Sequence, residues 1–169
     1  MTFEQPPASD PATDKTKAIA FRQASLADAG TIATHRYAMF RDMGYRDEAV
    51  LDSMRKKFLP WVERKLESVD YLAWFAVAEG NLVVAGAGLW LMDWPPHMLG
   101  SSARRGNILN VYTEPEFRRR GLAAHLTQLA LHWCKANGID VVILHASAEG
   151  RALYERLGFQ AANEMRIQL

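Results

Sequence analysis

Three arginines stand immediately before a glycine in Val111 to Ala124, V-Y-T-E-P-E-F-R-R-R-G-L-A-A, and residue types in that order could hold an anion. Arg118, Arg119 and Arg120 bring full charges, Gly121 and the small Ala123 let a ligand approach the backbone, and Leu122 begins a helical pattern. The first amides of a helix have no internal partner, and the macrodipole places about half a positive charge there. Phosphate or pyrophosphate is the ligand that uses all of these features.

The flanks decide whether the three cations are a cradle or merely a solvated turn. Asn107 to Thr113 has the β-branched, aromatic and aliphatic content of a buried strand, and Pro115 cannot donate to a ladder, so the strand stops there. After Gly121, Leu122, Leu126, Leu129, Ala130 and Trp133 recur on one helix face, and Asn137-Gly138 supplies a stop. The segment therefore reads as strand, basic turn, helix. Nucleotide motifs fail on inspection: no Gly-Lys-Ser or Gly-Lys-Thr occurs, and Gly86-Ala87-Gly88 has Leu91 where a dinucleotide fingerprint needs its third glycine.

The run resembles the acyl-CoA motif of the GNAT N-acetyltransferase superfamily, [RQ]-x-x-G-x-[GA], which Arg118, Gly121 and Ala123 match. Downstream, Val141 to Leu144 reads as a buried strand and Glu149 to Leu157 as a short helix closed by Gly158. Within it, Leu153-Tyr154-Glu155-Arg156-Leu157-Gly158-Phe159 is similar to the L-Y-E-x-x-G-F part of the A-x-x-L-Y-E-x-x-G-F element of the same superfamily. The resemblance implies an α/β (α+β) fold with a mixed central sheet of about six to seven strands, flanked by helices, whose fourth and fifth strands splay apart. It also implies acetyl-CoA as cosubstrate, direct transfer of the acetyl group to a primary amine, and an acyltransferase enzyme.

Site roles follow from the same resemblance. Amides of Val111 and Thr113, on either side of Tyr112, would bind the pantetheine arm. Those of Arg119, Arg120, Gly121, Leu122 and Ala123, with Arg118 at the motif's head, would bind the pyrophosphate. Tyr154 would be the general acid, since a phenol with an ordinary pKa of about 10 keeps its proton at neutral pH. Ser147 replaces an asparagine that contacts the cofactor in many members, and it retains one donor. Many members also carry a carboxylate base on the fourth strand, where this chain has Asn107 and Asn110, neither of which accepts a proton usefully. The base is left among His145, Glu114, Asp93, His97 or a water chain. His145, at a strand's C-terminal end, stands where open sheets place ligand-binding groups. Cys134, inside an amphipathic helix, reads as small apolar filling rather than a nucleophile.

The elements that must position these groups run from Ala18 onward. Ala18 to Arg22 is a strand, and Ser25 caps a helix carrying Ile32, Ala33, Arg36, Tyr37 and Phe40 before Gly44. Glu48 to Val69 is a second helix that Pro60 should kink or divide. Leu72 to Ala78 and Leu82 to Leu91 form a hairpin about Glu79-Gly80-Asn81, Met92 to Gly106 is a loop, and Met165 to Leu169 is a last strand. Tyr37, Met39, Phe40, Met43, Tyr45 and Trp94 would wall the acceptor site, favouring a small amine with an apolar body. The same residues equally suit a core or a homodimer interface.

Composition bounds the rest. The 169 residues support one domain, residues 18–169, behind a polar, proline-rich leader, residues 1–17, read as flexible and lacking a secretory signal. With 20 basic and 19 acidic side chains there is no overall field for nucleic acid or an anionic membrane, and one cysteine excludes a disulfide framework or a cysteine zinc site. The compartment expected is the cytoplasm, and the acceptor a small-molecule or peptide amine. The competing reading is an acyl-CoA-binding sensor or regulatory module without turnover, favoured by the missing strand carboxylate.

Overall fold

A strand with no polar residue must be covered on both faces, and Tyr71 to Ala78, Y-L-A-W-F-A-V-A, is such a strand. The computed structural model describes residues 18–95, 97–98 and 100–168, so the 1–17 leader lies outside the described residues. Five strands, β1 (Ala20–Gln23), β2 (Tyr71–Ala78), β3 (Leu82–Asp93), β4 (Arg104–Thr113) and β5 (Val142–Leu144), form one sheet in sequence order. The first three pairings are antiparallel and β4 with β5 is parallel. Helices α1 (Ala29–Asp42), α2 (Glu48–Glu67), α3 (Leu122–Ala136) and α4 (Arg151–Arg156) complete the chain.

Alternation along β2 sends its two residue sets into two cores. Tyr71, Ala73, Phe75 and Val77 pack with Ala29, Ile32 and Ala33 of α1 and Phe58 and Val62 of α2. Leu72, Trp74 and Ala76 pack with Leu122, Leu126, Ala130 and Cys134 of α3. The predicted stripe supplies Leu122, Leu126 and Ala130 to this core, with Leu129 and Trp133 only partly buried beside it, and burial pushes the thiol of Cys134, which joins it, up to about 11 and keeps it an unreactive core group.

Several boundaries differ from the sequence reading for identifiable reasons. Pro60 neither divides nor ends α2; it lies on the exposed face, where water can satisfy the carbonyl its ring leaves unbonded. β3 continues to Asp93 and β4 starts at Arg104, because Met92 and Asp93 pair with Arg105 and Arg104. The loop between these strands is correspondingly shorter. The sheet has five strands rather than six or seven, since residues 159–168 form no ladder and Met165 and Ile167 are exposed. Leu169, the end of that expected strand, lies outside the described residues.

Close packing predicts opposite outcomes for two glycines. A Cβ at Gly88 would lie 1.9 Å from the hydroxyl oxygen of buried Tyr71 and 3.2 Å from the carbonyl oxygen of Leu109, whereas one at Gly30 meets nothing within 4 Å. Gly88→Ala should therefore cost about 3 kcal/mol or more, while Gly30→Ala, on an exposed helical position, should gain about 0.5 kcal/mol. Urea midpoints of the two variants against the parent check both signs.

Candidate functional site

Two structural devices open a gap in the sheet. The first is a difference in length. β5 pairs with β4 only from Gly106↔Val142 to Ile108↔Leu144, and β4 then continues alone to Thr113. The second is a bulge. Gly88 pairs with Leu109 and Gly86 with Tyr112, so Asn110 and Val111 oppose the single residue Ala87, and Asn110 takes φ 54°. Beyond the bulge the Glu114 amide donates to the Val84 carbonyl at 2.9 Å. By alternation Tyr112 also faces β3, which turns the Val111 and Thr113 amides toward the gap left by β5.

Asn110 holds the bulge through a buried polar relay. Its Oδ1 accepts from Arg36 Nη1 at 2.7 Å and its Nδ2 donates to the Tyr71 hydroxyl at 2.8 Å. Burial raises the Tyr71 pKa above its ordinary value, so the phenol stays neutral. The Arg36 guanidinium lies over the Phe40 and Phe58 rings, at 4.9 and 4.8 Å from their centroids. Sequence reasoning missed this relay. The one available signal was an asparagine, tolerant of left-handed backbone, set between the apolar Leu109 and Val111.

The basic turn sits at the far end of β4. Gly121, at φ 76°, is the N-cap of α3, and His125 N makes the first helical bond, to the Gly121 carbonyl at 3.0 Å. The amides of Leu122, Ala123 and Ala124 thus have no intrahelical partner. Arg119 is also left-handed, at φ 62°, and exposed, so the backbone makes two such turns in three residues. Open space surrounds Gly121, with nothing within 4 Å of a Cβ built there.

The three arginines differ in what they do. Arg118 Nε donates to the Thr113 carbonyl at 3.0 Å and its Nη2 pairs with Asp42, so its head fastens the turn to the end of α1. Arg120 lies over the Phe117 ring at 4.9 Å and bonds the Glu116 carbonyl. Arg119 makes no ion pair among the described residues.

Tyr112 presents neither its backbone, which faces β3, nor its side chain to the gap. Its ring is buried against His35, 5.1 Å between centroids, its hydroxyl donates to Glu114 Oε2 at 3.2 Å, and burial pushes its pKa up to about 12. The opposite wall begins where β5 ends. Ser147 Oγ accepts the Gly150 amide at 3.1 Å, and a Cβ on Gly150 would lie 3.1 Å from the Tyr154 ring and 3.3 Å from Ser147 Oγ. Ser147 and Tyr154 are therefore neighbours across Gly150. The Ser147 proton stays free to donate, because only its oxygen is used. Tyr154 packs edge-on against Phe159 at 5.9 Å, and burial raises its pKa. His145, the residue after β5, places Nε2 2.8 Å from Glu164 Oε1. That carboxylate, on a coil 19 residues away, carried no local sequence signal.

The remaining base candidates are sorted by position. Glu114 is at the open end of β4, whereas Asp93 pairs with Arg104 at the closed end, and His97 lies in the loop beyond it. The proposed acceptor wall is split in the same way. Phe40 and Tyr45 meet edge-to-face at 5.5 Å near the end of α1, while Trp94 lies under Arg105 at the start of β4. A cavity of about 1110 Å³ opens between the C-terminal half of α3, β5 and residues 157–163, away from the α3 N-terminus. Among the described residues no helix is long and apolar enough to cross a membrane.

Residues 34–159 match the model of the acetyltransferase (GNAT) family. A GCN5-related N-acetyltransferase from Ralstonia eutropha is 34% identical, with 90% of this chain and 99% of that one covered and a TM-score of 0.84. A predicted acetyltransferase from Clostridium acetobutylicum, solved with acetyl-CoA, is 27% identical over 90% of this chain and 96% of that one, with a TM-score of 0.82. Glucosamine-6-phosphate N-acetyltransferase from Arabidopsis thaliana shares the fold, at 17% identity, TM-score 0.65, and coverage of 90% of this chain and 99% of that one. No curated protein matches the sequence.

His35 gives this region a pH signature. The ring is 4% exposed, its Nδ1 has no partner among the described residues, and burial lowers its pKa to about 4. The unfolded chain, with an ordinary histidine value near 6.5, binds the proton more readily between those limits. The stability due to neutral His35 is therefore complete above about pH 6.5 and is lost as pH falls toward 4. Urea titrations should show about 2 kcal/mol lost between pH 7 and pH 5, a loss that His35→Leu abolishes.

Proposed function

Since the chain belongs to the GNAT acetyltransferase family and is an acyltransferase, we propose that it transfers an acetyl group from acetyl-CoA directly to a primary amine. The observation that carries this reading is the pairing of a widened β4–β5 gap with an open helix N-terminus at one end of the same strand. A pantetheine arm can complete the unmet Val111 and Thr113 amides as a missing strand would, and a pyrophosphate can take the Gly121, Leu122 and Ala123 amides. Arg119 and Arg120 add charge there, and Arg118 keeps the turn in place through Asp42 and Thr113. Ser147 donates to the cofactor from the other wall.

Acetyl-CoA supplies the activated carbonyl carbon, and the side chains handle protons. Tyr154, kept protonated by burial, donates to the departing sulfur as the C–S bond breaks. His145 takes the proton that the amine loses as its C–N bond forms, and Glu164 fixes the imidazole and balances its charge. Asn107 and Asn110 orient groups without accepting protons.

A cofactor present at a hundred times its dissociation constant stabilises a fold by about 2.7 kcal/mol, so millimolar acetyl-CoA should raise the melting temperature visibly. Gly121→Val, measured from its own baseline, should lose the shift, because a side chain there fills the space the phosphates need. An unchanged parent melting temperature would remove the cofactor and with it the activity.

Tyr154→Phe separates a proton donor from a packing residue. It should lower turnover by about 10²- to 10⁴-fold with little change in acetyl-CoA affinity. Parental turnover at saturating substrate would refute the acid role.

A further inference from the structure

The acetyl-transfer reading leaves the acceptor open, and on that reading the polar groups behind the bulge define its class. Arg36 is a half-buried cation with no carboxylate partner among the described residues. Nη1 is used by Asn110, while Nε is buried and lacks an acceptor among the described residues. Burial lowers the Arg36 pKa without removing its charge, and the nearest ionisable influence is the Tyr71 phenol. A guanidinium in that position normally has a counter-ion, because an unpaired buried charge is costly. The Nε–Nη2 edge is the fork that binds a planar carboxylate through two parallel hydrogen bonds.

A complementary atom lies on the same sheet face. Asn107 is two residues before Leu109, which packs in the α1–α2 core, and the Asn107 Oδ1 is buried without a donor among the described residues. One end of this face therefore lacks an anion and the other lacks an N–H. Asn110, which holds Arg36, is next to Val111, whose amide faces the gap.

We propose that the acceptor is an amine that also carries a carboxylate, its carboxylate bound by the Nε–Nη2 edge of Arg36 and its amine N–H by Asn107 Oδ1. Arg36 then determines specificity and takes no part in proton transfer. The two sites are separated along β4, so the spacing between amine and carboxylate in the best substrate reports the distance between them.

The test compares glycine, β-alanine and γ-aminobutyrate with methylamine, ethylamine and propylamine, their decarboxylated counterparts, by CoA release. At least one amino acid should exceed its counterpart in kcat/KM by roughly 10- to 100-fold, the value of a hydrogen-bonded charge. Arg36→Gln should bring that ratio close to one, and Arg36→Lys, which keeps charge but loses the fork, should leave an intermediate ratio. Equal rates across every pair in the parent would overturn the proposal. So would an unchanged ratio in a folded Arg36→Lys protein. A second arm needs no turnover: with CoA present, N-acetylglycine should raise the melting temperature more than N-methylacetamide, and the difference should shrink in Arg36→Lys and vanish in Arg36→Gln. If no amine releases CoA, the transfer reading fails, while this arm still decides the carboxylate site.

Discussion

The left-handed backbone at Asn110 is the constraint on which the site depends. A regular β4 would keep one parity from Arg104 to Thr113 and would present Tyr112, not Val111, to the edge facing β5. One extra residue reverses that parity halfway along the strand. Ile108 and Val111 then share the α3 side, while Leu109 and Tyr112 share the α1–α2 side. The cost of φ 54° in a non-glycine residue is met by the bonds to Arg36 and Tyr71. The direction of the Val111 amide is thus set by a polar cluster on the α1–α2 face of the sheet.

Much of the architecture was legible because its signals are local. The hairpin about Gly80 and Asn81, both with positive φ, the amphipathic stripe of α3 and the turn at Gly121 each follow from a few adjacent residues. What escaped prediction depends on distant partners. The start of β4 at Arg104 depends on pairing with Asp93 and an ion pair to Asp70. The fastening of Arg118 to Asp42 spans 76 residues, and the His145–Glu164 pair joins a strand end to a coil. The bulge was invisible because Asn110 conforms to the alternation of burial on either side of it.

Division of labour within R-R-R-G also depends on three-dimensional surroundings. A motif treats three arginines as equivalent cations, yet each is held differently: Arg118 by a carboxylate, Arg120 by a ring and a carbonyl, and Arg119 by an unusual backbone conformation. Charge that is already paired with Asp42 is partly neutralised, so the turn relies more on its amides than its composition suggests.

The single extra residue in β4 also limits how this strand can change over evolution. Substitutions at positions other than Asn110 alter one side chain at a time and leave the register as it is. A deletion between Leu109 and Val111 would instead invert every later residue, sending Tyr112 toward α3 and removing the Val111 amide from the gap in one step. Keeping this gap therefore constrains the length of the strand and the residue at position 110 more than the residue types around them. The register between Gly88 and Glu114 is thereby inherited as an indivisible unit.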